Sequence, residues 1–301
     1  MNIIKEIDDV FDDIKIDTEA IVNKIKRHYI STEFGQKKEN ITTVKNLPSL
    51  GSLASKRDLR ENDASKGEHV LPPVYNQGNV GSCTGNALGG AVEYDDNGFH
   101  PSRLFIYYNE RSLEGTVRQD SGAYLIDGIK SLEKYGVCSE TTWPYIENKF
   151  SLKPSPVAYT EALKHKIIVN SVVSSDNPET EISTVNLNLI KQHLAAGYPC
   201  AFVFIVYDSF ESLQAPWVLD LPKPEEQVQG GHAILCVGYD DNKEYETRNG
   251  TKKGCFIIRN SWGEDWGENG YFYMTYDFMQ CQGNDGSPLT SEMYCIESIS
   301  N

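Results

Sequence analysis

The sequence predicts an α+β fold, a helical half followed by a half built on a sheet, with the cleft between them as the natural site. Three observations lead there. Apolar residues recur at helical spacing after Cys83 and again over about 102–134. From about residue 160 the chain turns to short apolar runs bounded by turn residues, the pattern of buried strands. No internal repeat interrupts this order.

Taken in order, residues 1–68 form a segment of their own. Ile3, Ile4, Ile7, Phe11, Ile14 and Ile16 sit at roughly helical spacing, and Ala20, Ile21, Ile25 and Tyr29 continue that helix or start a second one. After Tyr29 the chain becomes polar, and residues 32–68 read as extended linker. Residues 69–301 form the main domain. Ala87, Leu88, Ala91 and Val92 mark one buried helix face after Cys83. A second helix is predicted near 102–112 behind Pro101, and a third from Ala123 to about Lys134, stopped by Gly136. Strands are predicted at 166–170, 201–207, 232–239, 255–260 and 271–276, with one helix near 186–196 among them. The Pro- and charge-rich stretch 216–229 reads as a surface loop.

The 301 residues carry a net charge of −15, nearly all of it in residues 69–301. So acidic a body repels nucleic acid and anionic membranes and favours cationic peptides. No apolar run is long enough to span a bilayer. The N-terminus turns acidic within six residues, unlike a secretory signal. A soluble, intracellular or cytoplasmic protein is the resulting expectation; a virion, a lysosome-like compartment or secretion are the alternatives. Seven cysteines leave at least one thiol unpaired, and Cys236 and Cys255, inside apolar strands, read as buried free thiols. Without CxxC or HExxH there is no zinc motif, and no cofactor or metal is expected.

Three segments carry chemistry. In Gln77-Gly-Asn-Val-Gly-Ser-Cys83 a turn delivers the cysteine to the start of an amphipathic helix, where unpaired N–H groups and the helix dipole favour a thiolate. A structural cysteine beside a turn is the alternative. In Gly230-Gly231-His232 two glycines permit close backbone approach before a buried strand. In Arg259-Asn260-Ser-Trp262-Gly the asparagine ends another strand. A hairpin joining these two strands brings His232 near Asn260. The turn signal at Asn249-Gly250 slips the register by several residues, so bulges or a loop excursion are required.

In combination these segments resemble the papain-like cysteine peptidases, over roughly residues 70–280. Gln77 precedes Cys83 by six residues, Gly81-Ser82-Cys83 matches the nucleophile signature, and Gly-His232-Ala leads into an apolar strand. Asn260-Ser-Trp262-Gly is followed by Trp266-Gly-Glu-Asn-Gly-Tyr, and the order Gln, Cys, His, Asn is the family's. The lead-in Leu71-Pro-Pro-Val-Tyr-Asn-Gln-Gly is most similar to the branch found in microbes and large viruses. The resemblance implies a papain-like fold with a helical left half and a β-sheet or barrel right half. It implies Cys83 as nucleophile, His232 as general base, Asn260 as its holder and Gln77 as an oxyanion donor. It further implies Gly122 and Gly231 at the substrate backbone, and Trp262 as a shield over the His–Asn bond. Two departures stand out. Val80 occupies the place of a usual disulfide cysteine, and Thr84 replaces the usual Trp, which alters one wall of the cleft.

By the same resemblance, residues 1–68 have the size and position of a propeptide, though not the common propeptide pattern. The expected function is endopeptidase action on peptide or protein substrates, from a zymogen inhibited by its own N-terminal segment. A catalytically inactive binding protein on the same fold, or an acyl transferase using the same thioester, are the alternatives.

Overall fold

The computed structural model describes residues 52–300 apart from 97, 173, 177–182, 248–249 and 284–285. The helices expected in residues 1–29 lie outside the described residues. The first element is a short strand, β1 (Lys56–Asp58). Three helices follow: α1 (Cys83–Asp95), α2 (Arg103–Glu114) and α3 (Leu125–Tyr135). Next come α4 (Pro156–Ala162), β2 (Ile167–Val172), the small hairpin of β3 (Ser174–Asp176) and β4 (Ser183–Val185), and α5 (Leu187–Ala195). The remainder is β5 (Cys200–Tyr207), α6 (Asp208–Glu211), β6 (Val218–Leu219), β7 (Val228–Thr247), β8 (Gly250–Arg259), β9 (Tyr271–Thr275), α7 (Tyr276–Gln280) and β10 (Thr290–Ile299).

Helix ends follow local chemistry. Ser102 Oγ accepts from Phe105 N at 3.1 Å to start α2, and Asn186 Oδ1 accepts from Leu189 N at 3.1 Å to start α5. Gly115 ends α2 in the left-handed region. The strands run β2-β10-β5-β7-β8-β9-β6, antiparallel except for β6 beside β9. The right half is therefore an open sheet, not a closed barrel.

Helix α1 lies between the halves, packed on α2 and α3 on one side and on β7 and β10 on the other. Its small residues permit this. A Cβ on Gly85 would stand 2.7 Å from the Arg103 carbonyl oxygen. Glycine in a helix costs about 1 kcal/mol relative to alanine, and the close contact of α1 with α2 offsets that loss. One apolar cluster runs through both halves, from Leu88, Phe105 and Ile129 to Phe202 and Phe256.

One feature differs from the sequence reading and a second goes beyond it. Within 52–68, read as linker, β1 pairs with β7 through Lys56↔Asp240, Arg57↔Tyr239 and Asp58↔Gly238. Leu59 is fully buried, and Arg60 bonds the buried Asp58 carboxylate, Nη2 to Oδ2 at 2.7 Å. Gly238 makes the contact possible, since a Cβ there would lie 2.5 Å from the Arg57 carbonyl oxygen. Second, Cys200 and Cys295, Cα partners across β5 and β10, form a disulfide. Cys236 and Cys255 are buried free thiols, as their strands predict.

Candidate active site

Cys83 opens α1 at the floor of the junction between the halves. The turn before it is held from several sides. Asp120 Oδ1 accepts from Gly81 N at 3.0 Å and from Tyr107 OH at 2.7 Å. Ser82 Oγ and Tyr145 OH are 2.6 Å apart, and Tyr145 OH donates to the Gln77 carbonyl at 2.8 Å. Arg103 stacks over Tyr145 with its guanidinium 4.1 Å from the ring centre and donates to Asn86 Oδ1 at 3.1 Å. Burial pushes the Cys83 thiol up to about 11, and Glu110 pushes the same way. The backbone groups of Ala233, Thr84 and Cys83 itself pull it down. The sequence emphasised the helix terminus; desolvation proves the larger effect. The Ala233 contact places the sulfur against the residue that follows His232.

His232 lies on β7 opposite Phe204 of β5, fully buried. Its Nε2 is 2.8 Å from Asn260 Oδ1. That oxygen also accepts from Ser261 N at 2.8 Å, which fixes the amide orientation, so Nε2 is the donor and carries the proton. The required hairpin is present: Leu235 faces Arg259, with bulges between Cys236 and Gly238 and between Asp240 and Glu244. Trp262 stacks on the imidazole at 5.0 Å and 27°, and Phe204 meets it edge-on at 5.8 Å. Phe210 of α6 lies 5.2 Å from Trp262 and 6.3 Å from His232. No sequence signal pointed to Phe210, which sits in a one-turn helix.

Gln77 is tied to the strand that carries Asn260. Its N donates to the Ser261 carbonyl at 2.8 Å, and its side-chain Oε1 accepts from Ser261 Oγ at 2.6 Å. Nε2 spends one hydrogen on the Val80 carbonyl at 3.0 Å and retains the other. Ser261 thus orients Gln77, a role the sequence did not disclose. Arg259 clamps the incoming chain by donating to the carbonyls of Pro72 and Pro73.

Gly122 adopts φ +74° beside the nucleophile turn: a Cβ on Gly81 would stand 3.5 Å from Gly122 N. Its N–H donates to Tyr107 OH at 3.1 Å, so that donor is already used within the protein. Gly231 is buried in β7, paired with Ile205 of β5. Thr84, expected to alter a cleft wall, lies against α2. The side chain is buried, and its hydroxyl donates to Glu110 Oε2 at 2.7 Å. No group of His, Cys, Asp and Glu that could hold a metal is present among the described residues. No described helix is long and apolar enough to cross a membrane.

A model of the papain family cysteine proteases matches residues 53–287. An uncharacterized peptidase C1-like protein of Acanthamoeba polyphaga mimivirus is 38% identical over 235 residues, covering 75% of this chain and 70% of its own. Falcipain-3 of Plasmodium falciparum is 27% identical over 215 residues, 69% of this chain and 39% of that protein. Among solved structures, xylellain, a cysteine protease from Xylella fastidiosa, is 36% identical with a TM-score of 0.68, covering 90% of this chain and 95% of that one. The nucleophile, histidine and asparagine segments all fall inside the matched range, and with that the chain belongs to the papain family and is a cysteine peptidase.

Proposed function

We propose that the protein is an endopeptidase that cleaves peptide bonds through a thioester on Cys83, with His232 as base and acid. The carrying observation is the direction of the imidazole. Its Nε2 is committed to Asn260, which leaves Nδ1 to exchange the proton, and the sulfur contacts the very next residue, Ala233. Burial favours the proton on sulfur; the backbone N–H groups favour it off. Transfer to His232 creates a thiolate–imidazolium pair whose mutual attraction offsets the desolvation.

The thiolate then attacks the scissile carbonyl. The Cys83 N–H and the remaining Nε2 hydrogen of Gln77 receive the developing oxyanion. His232 returns its proton to the leaving amine, and water activated by the same imidazole hydrolyses the thioester. Asn260 holds the ring, and Trp262 covers the Asn–His bond. Gly122 and Gly231 flank the path of the substrate backbone, Gly122 through its carbonyl.

The N-terminal segment acts in this reading as a propeptide that restrains the cleft. Lys56–Asp58 pair with β7 and Leu59 is fully buried, which supports a boundary before Lys56 instead of at 68. The test is cleavage of an internally quenched peptide by the full chain and by a chain starting at Ser52, each with its Cys83→Ala counterpart. Activity greater in the shorter chain and absent from both alanine variants supports the reading. Equal activity in both lengths removes the zymogen claim, and activity surviving Cys83→Ala removes the nucleophile.

A further inference from the structure

Thr84 and Glu110 form a buried polar pair directly beneath the nucleophile. Glu110 has no exposed surface and sits where α1, α2 and α3 converge. The room for its carboxyl comes from Gly128 of α3: a Cβ there would stand 2.4 Å from Glu110 Oε1 and 2.3 Å from Leu88 Cδ1. Oε2 takes the Thr84 hydroxyl, and Oε1 has no hydrogen-bond partner among the described residues. A carboxyl buried with one partner is destabilising compared with an apolar side chain of similar size. Packing alone does not explain its place one bond from the residue that follows Cys83.

We propose that Glu110 is a positioning residue for Cys83: by holding Thr84 it fixes the first turn of α1, and with it the sulfur and the oxyanion-binding N–H. This rests on the reading of Cys83 as nucleophile. Burial raises the proton affinity of the Glu110 carboxyl well above that of an ordinary glutamate, with Glu114 of α2 and Asp127 of α3 adding to the effect. Thr84 of α1 and Arg111 of α2 oppose it, and Lys130 of α3 lies 3.8 Å from Asp127. Ionised, Glu110 would raise the proton affinity of Cys83 and suppress the thiolate. The pair thus occupies a position that the family usually fills with Trp, and it supplies a held hydroxyl there.

The test compares wild type, Glu110→Gln, Thr84→Val and the double variant Thr84→Val/Glu110→Leu. Three quantities are read: the rate of Cys83 alkylation by chloroacetamide from pH 5 to 10 by intact mass, kcat and KM on a peptide, and melting temperature. Glu110→Gln keeps an acceptor for Thr84, so its alkylation profile and kcat stay within about twofold of wild type. Thr84→Val lowers kcat and alkylation at least about tenfold, toward the roughly 10²-fold effect of a 1 Å misplacement, with KM nearly unchanged. The double variant regains the melting temperature but not kcat or alkylation. If it regains all three, Glu110 only packs and the proposal falls. If Glu110→Gln shifts the alkylation profile as far as Thr84→Val does, charge and not position is at work, and the proposal also falls. An alkylation-resistant Cys83 in an active wild type would remove the nucleophile reading itself.

Discussion

A single oxygen, Asn260 Oδ1, ties His232 and Ser261 together, and the hydroxyl of Ser261 in turn holds Gln77. His232 and Gln77, the base and the oxyanion donor of the proposed mechanism, are therefore oriented through two consecutive residues at the end of β8. Gln77→Ala should lower kcat about 10²–10³-fold, the effect of losing one oxyanion donor. Ser261→Ala should lower kcat by a smaller factor with KM little changed, because the donor remains but loses its anchor; steady-state kinetics on one peptide reads both. The motifs that hold Gln77, Cys83, His232 and Asn260 were legible in the sequence by their fixed spacing, and the structure brings His232 to Asn260 and ties Gln77 to Ser261. Ser261 and Thr84 stood in the same motifs, but their roles depend on which way a side chain turns, and spacing does not carry that. Thr84, read as a cleft-wall position, is buried with its hydroxyl on Glu110 of α2.

At the scale of elements, β1 shows what periodicity cannot reach. A three-residue strand has no alternation to detect, and its apolar signal is one residue, Leu59. Yet Leu59 is fully buried, and β1 lies along β7 where Gly238 lets the backbones meet. Leu59→Ala should destabilise the protein by about 2–5 kcal/mol, as core truncations of this kind do, measured by urea unfolding. A chain beginning at Ser52 should melt as a folded body, while one beginning at His69 should melt at a distinctly lower temperature. The longer strands β5, β7, β8 and β9 were legible from their apolar runs. The conflict between the Asn249-Gly250 turn signal and the need to bring His232 near Asn260 called for bulges or a loop excursion, and β7 carries the bulges. β10 escaped notice because its Ser and Glu residues break the apolar pattern, though it pairs with both β2 and β5.

For the whole molecule, the two halves share α1 and one continuous core, so the site depends on global stability. The Cys200–Cys295 disulfide closes a loop with a sequence separation of 95. In the chain-entropy account a crosslink over so long a loop contributes about 4–5 kcal/mol. Replacing both cysteines by serine should lower stability by an amount of that order, read by denaturant titration. Protonation acts at the same scale. Glu110 keeps its proton in the folded state above its ordinary value of 4.5, where the unfolded chain has released it. Its stabilising contribution is therefore complete below that value and is lost as pH rises through the raised one. The stability of wild type relative to Glu110→Gln should thus decline as pH rises above the ordinary glutamate value of 4.5, read by denaturant titration at a series of pH values. The cleft between a helical half and a sheet half was legible from the order of elements. The disulfide was not, because its partners meet only through the pairing of β5 with β10.

The most direct test of the account is titration with an epoxide-type thiol-peptidase inactivator, read by intact mass on wild type and Cys83→Ala, each as the full chain and as a chain starting at Ser52. One adduct per molecule is expected, on Cys83, formed faster in the shorter chain and absent from both alanine variants, with activity lost in step with labelling. Labelling confined to Cys138, Cys236, Cys255 or Cys281, or activity that persists after Cys83 is fully modified, would contradict it.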